Sequence, residues 1–201
     1  MKVYLISNNL LLDGLGYNSN SNLDLIRLIR PLNIEGEKYS KKLAEIKDFQ
    51  NVEKIYASCH SSAVSSAKYL ANKLELEVNI TEELNDCKVG FLDNKNMKMV
   101  KGLQEHDFNY KLVNGESLND VGKRLNQFVL SLIDKDSEAI IFTHKRAILG
   151  FLLQYANVGY NLDDSLIVEF NDKIIYDDSE TELDIYELII ENNKIENINR
   201  M

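Results

Sequence analysis

The chain has 201 residues, 44% hydrophobic and 27% charged, an ordinary globular composition with room for one good-sized domain. With 32 acidic and 23 basic residues, its net charge of −9 speaks against a nucleic-acid partner but not against one positive pocket. There is no apolar run long enough to span a membrane, no signal-peptide layout after Met1-Lys2, and no disulfide or metal-site spacing among Cys59, Cys87, His60, His106 and His144. The expectation is a cytoplasmic chain with no metal, cofactor, membrane or nucleic acid.

Val3, Tyr4, Leu5 and Ile6 form an unbroken apolar run, the mark of a buried strand. It stops on Ser7-Asn8-Asn9, and residues 7–22 read as a polar loop. Pro31 is the only proline, and Asn33 caps a helix expected over 34–47, with Glu35 and Glu37 in its first turn. "VEKIYAS" (52–58) is a second strand. The helix after it carries Ala63, Ala67, Leu70, Ala71 and Leu74 on one face.

"LEVNI" (76–80) is a short third strand. Residues 81–115 show no clear period and read as an irregular functional cover. In 115–133, Leu118, Val121, Leu125, Phe128, Val129 and Leu132 share a helical face. "EAIIFT" (138–143) is the fourth strand, and His144 opens an apolar helix reaching about Tyr155. "SLIVEF", "KIIY" and "DIYELII" read as closing strands, and the acidic run "DDSETELD" (177–184) as a solvated turn. Alternating strands and helices imply an α/β fold, a three-layer α/β/α sandwich with a mainly parallel central sheet. The first, second and fourth strands are expected side by side, with no linker or repeat to divide the chain.

Six segments together carry a resemblance to a known family: "KVYLISNN", "RPLNIEGEKYSKKLAE", "IYASCHSSAVSSAKYLANKLELEV", "EELNDCKVG", "NGESLNDVGKRL" and "IIFTHKRAI". In this order they resemble the histidine phosphatase superfamily, which is phosphoglycerate mutase-like. The resemblance covers nearly the whole chain. It implies a chemistry in which one histidine attacks phosphorus, two arginines clamp the phosphoryl oxygens, a second histidine adds positive charge, and a carboxylic acid protonates the leaving oxygen.

This chain departs from that pattern at most of those positions. Ser7 stands where the family has the first arginine, Asn8 where it has the nucleophile, Asn9 where it has glycine, and Ser62 where it has the second arginine. The acid position falls on Asp86, one methylene shorter than glutamate. Only the second histidine is kept, as His144, and Lys145-Arg146 follow it where small residues are usual. An amide is no nucleophile, and each lost charge-assisted phosphate contact removes roughly 1.5–3 kcal/mol. The family mechanism cannot run on these residues as written.

The resemblance gathers Ser7, Asn8, Asn9, Ser58, His60, Ser62, Asp86, His144, Lys145 and Arg146 at one crevice. Asp86 is either a remnant acid or a loop carboxylate, and His60 a pocket-edge or a surface side chain. Cys59 would matter only if it were exposed beside a protonated His60. Glu116 reads as a favourable charge at a helix start. Three functions stay open: a degenerate, non-catalytic domain binding a small anionic ligand or a protein partner; a phosphomonoesterase with a site rebuilt on His144 or His60; or a structural module. A crevice lined by cations would favour the second.

Overall fold

The computed structural model describes residues 1–8, 10–13, 22–90, 97–133, 137–179 and 183–201, with only the backbone of Asn8. Asn9 lies outside the described residues. The frame is a six-stranded sheet in the order β3-β2-β4-β1-β8-β9. Its strands are β1 (Lys2–Asn8), β2 (Lys54–Ala57), β3 (Val78–Ile80), β4 (Ala139–Thr143), β8 (Leu183–Glu191) and β9 (Lys194–Arg200). The pairs β3–β2, β2–β4 and β4–β1 are parallel, while β8 pairs antiparallel with both β1 and β9. The first, second and fourth apolar runs therefore lie together, as their composition implies.

These runs look continuous in sequence because both faces of the sheet are covered. Tyr4, Ile6, Ile55, Ala57, Ile140 and Phe142 pack with Phe49, Leu70 and Leu43. Val3, Leu5, Tyr56, Ala139 and Ile141 face the opposite core with Val121, Leu125 and Phe151. The first core is built on α2 (Ile34–Leu43) and α3 (Ser61–Leu74), the second on α5 (Leu118–Ser131) and α6 (Lys145–Leu152). α5 starts at a capping box between Ser117 and Asp120, and α6 at His144. At their crossing a Cβ on Gly122 would lie 2.0 Å from the Gly150 carbonyl oxygen, so the backbones themselves are in contact.

Several expectations change. The helix expected over 34–47 ends at Leu43, and a 3-10 turn covers Lys47–Asn51. The polar loop holds fewer residues than expected, because Ser7 and Asn8 continue β1 and Leu11 bridges Leu32. Beyond it a short helix, α1 (Leu23–Ile29), is capped by Asn22. The cover over 81–115 contains α4 (Met97–His106), whose described buried residues are only Val100 and Gln104. So thin a buried stripe gives little periodicity to read.

The closing strands also divide. β5 (Asn157–Tyr160), β6 (Leu166–Phe170) and β7 (Lys173–Asp177) form a separate antiparallel sheet, whereas β8 joins the central one with β9 beside it. The run 177–184 is not uniformly a solvated turn. Asp184 lies in β8, 2% exposed and paired with Arg200, because the register with Ser7 carries it inside. No helix among the described residues is long and apolar enough to cross a membrane.

Candidate active site

The carboxyl ends of the parallel strands set the site, as in open α/β sheets generally. β4 delivers Thr143 and then His144; β2 delivers Ser58, and two residues later His60 opens α3. His144 Nε2 lies 2.7 Å from Ser58 Oγ, which also accepts the His60 backbone N–H at 3.2 Å. The His60 and His144 rings sit 4.2 Å apart. All three residues are buried. Ser7 is buried at the end of β1, in register with Thr143 on one side and Asp184 on the other.

Asp86 comes from the loop after the 3-10 turn at Glu82–Leu84. Its partner is Arg27 on α1, 59 residues earlier and not among the residues singled out from the sequence. Arg27 pairs with the Asp86 carboxylate and donates to the Cys87 carbonyl at 2.9 Å. Its own carbonyl accepts from His60 Nδ1 at 3.0 Å. A local signal for this helix is the i, i+3 pair Asp24–Arg27.

Electrostatics follow from this packing. Burial alone would raise the Asp86 carboxyl, but Arg27, then the two histidines and the Cys87 N–H, hold it well below the usual carboxylate range. Burial pushes His144 down to about 3 against the pull of Asp86. Burial also lowers His60, helped by Arg27 and opposed by Asp86. At neutral pH the crevice therefore holds an ion pair and two neutral imidazoles. Cys59 is only partly buried, and burial with Glu82 pushes its thiol up, so no thiolate is favoured there.

The other residues are placed as follows. Ser62 is buried in the first turn of α3. Lys145 and Arg146 diverge. Lys145 pairs with Asp178 at 3.4 Å and lies over the Tyr176 ring, whereas Arg146 reaches Gln104 at 2.6 Å and Glu105 at 3.5 Å on α4. Successive residues of a helix are about 100° apart, which separates their side chains. Glu116 forms a two-point pair with Arg124 and accepts the Lys88 N–H, a structural role. A cavity of about 290 Å³ opens beside the site, lined by Leu25, Arg27, His60, Asn85, Asp86 and Lys88 among others.

Residues 29–171 match the family model of the histidine phosphatase superfamily, branch 1. None of the curated proteins matches the chain by sequence. Among solved structures, mycobacterial hydrolase 1 superposes with a TM-score of 0.65 at 14% identity, covering 94% of this chain and 92% of its own. The mycobacterial glucosyl-3-phosphoglycerate phosphatase gives 0.64 at 15% identity, covering 93% and 89%. The α-ribazole phosphatase of Shigella flexneri gives 0.58 at 16% identity, covering 86% and 96%. At such identities the likeness is one of fold. Together with the family match over most of its length, it makes this chain a member of the histidine phosphatase superfamily.

Proposed function

We propose that the domain is a degenerate histidine phosphatase that does not hydrolyse ordinary phosphomonoesters and uses its crevice to bind a small anionic ligand. The observation that carries this reading is the Arg27–Asp86 pair beside two neutral imidazoles. An alkyl phosphate must have its leaving oxygen protonated, and a carboxylate held ionised by a guanidinium has no proton to give. The nucleophile position is Asn8, and the two clamp positions are Ser7 and Ser62. Groups that act as a unit fail together.

The rebuilt site on His144 finds little support, since its Nε2 is already engaged by Ser58. Anion binding is supported by Arg27 and Lys88 on the walls of the open cavity. A protein partner contacting the cover remains the competing occupant, and the test separates the two. The wild-type protein is assayed over a panel of phosphomonoesters, and in parallel its melting temperature is followed with small carboxylates and phosphates. Negligible turnover with a saturable upward melting shift is the expected result. Turnover that depends on His144 would overturn the reading.

A further inference from the structure

On the cavity wall, His60 presents an imidazole nitrogen that its described neighbours leave available. A carbonyl oxygen only accepts, so the 3.0 Å contact to the Arg27 carbonyl places the proton of His60 on Nδ1. The lone pair is thereby fixed on Nε2, for which the described residues provide no hydrogen-bond partner. His144 differs, because its Nε2 is bonded to Ser58 Oγ at 2.7 Å. His60, unlike His144, lines the open cavity of about 290 Å³.

The surroundings select what such a lone pair can meet. Asp86 is paired with Arg27 and accepts the Cys87 N–H at 2.8 Å. Asp24 accepts the Val89 N–H at 2.9 Å and the Gly90 N–H at 3.3 Å. Both wall carboxylates are thus compensated, while the Lys88 ammonium has no acidic partner among the described residues. A neutral nucleophile beside Arg27 and an uncompensated lysine suits an anionic electrophile. With Asp86 ionised, the leaving group must depart without taking a proton.

We infer that His60 Nε2 is a phosphoryl acceptor for small acyl phosphates, whose carboxylate leaves as an anion. In the first step the Nε2 lone pair forms the N–P bond as the P–O bond to the acyl oxygen breaks. The carboxylate departs with that electron pair, and the positive charge stays on the ring, whose Nδ1–H keeps its bond to Arg27. In the second step water attacks phosphorus, the P–N electrons return to Nε2, and inorganic phosphate and a proton are released. Alkyl phosphates are excluded because their alkoxide would need the missing acid. The inference goes beyond the binding role proposed above and can fail independently of it.

The test incubates the folded full chain with acetyl phosphate and follows the protein by phosphorus NMR and peptide mapping, with heat-denatured protein as the control. The expected result is an acid-labile, base-stable phosphoryl group on His60 of the folded protein only. The adduct is lost in His60→Asn and kept in His106→Asn, whose site lies on exposed α4. Because the position is mapped in the wild type, poor folding of a variant cannot decide the outcome. No adduct above the denatured control, or an adduct mapped to any residue other than His60, overturns the inference. Hydrolysis of alkyl phosphomonoesters would overturn the proposed function instead.

Discussion

Arg27 reaches from α1 to the Asp86 carboxylate and the Cys87 carbonyl, and so closes the loop that carries Asp86 onto the crevice. Arg27 neutralises the carboxylate with its guanidinium and, through its backbone carbonyl, fixes the tautomer of His60. One cation at this site therefore comes from a helix that precedes Pro31, whereas positions 7 and 62 hold buried serines.

Replacing that guanidinium is informative. Arg27→Gln removes the charged partner of a largely buried carboxylate and is expected to cost roughly 1.5–3 kcal/mol. The urea midpoint should fall, and the Asp86 carboxyl should titrate higher in a carbon-detected NMR titration. An unchanged midpoint and an unchanged Asp86 titration would remove the pair from the account.

The neutral histidines predict an acid-labile fold. His144 titrates near 3 in the folded chain against about 6.5 unfolded, so between these values the unfolded state binds the extra proton. Its contribution is complete above pH 6.5 and is lost as pH falls. At pH 5 the loss from His144 is ~2 kcal/mol, and His60, also lowered, adds in the same direction. Melting curves from pH 7 to 5 should shift down steeply, and less so in His144→Gln. Parallel curves for the two proteins would refute the assignment.

The α5–α6 contact predicts a large effect from one methyl group. Gly122→Ala places a Cβ 2.0 Å from the Gly150 carbonyl oxygen, where no flexible side chain can yield. The helices must separate, at a cost of at least about 1–3 kcal/mol. Since α6 begins at His144, the change should also disturb the Ser58–His144 hydrogen bond. Chemical denaturation measures the first effect and the histidine NMR signals the second. Wild-type stability would show that the helices are not held this closely.

Restoring the family residues tests whether the frame has kept its geometry. Ser7→Arg, Asn8→His, Asn9→Gly and Ser62→Arg together should recover phosphate binding before turnover. Each regained charge-assisted contact is worth roughly 1.5–3 kcal/mol. Ser7 is in register with Asp184, whose Oδ2 has no hydrogen-bond partner among the described residues, so a guanidinium there would meet a buried carboxylate. Turnover needs an acid as well, and Asp86→Glu should raise it only if Arg27 no longer holds the carboxyl ionised. The measurement is a vanadate titration of the folded variant beside wild type. Equal, negligible affinity in both would mean the crevice has been remodelled.

Much of this was legible in the amino-acid order alone. Apolar runs at 3–6, 53–57 and 139–142 fixed three neighbouring parallel strands, since a strand covered on both faces must be apolar throughout. That Ser7, Asn8 and Ser62 bring neither an imidazole nor a guanidinium to the positions the resemblance gives them was also readable without coordinates, because it rests on side-chain identity alone. Strand β9 escaped because only Ile195 and Ile198 mark it among polar residues at a sheet edge. The sequence could name His60, Asp86 and His144 but not their protonation, which depends on burial and on neighbours dozens of residues away. Lys145 and Arg146 are adjacent in sequence, yet helix geometry sends them to different partners. Arg27 became visible only in three dimensions, since nothing along the chain relates α1 to a loop 59 residues later until packing brings the guanidinium and the carboxylate together.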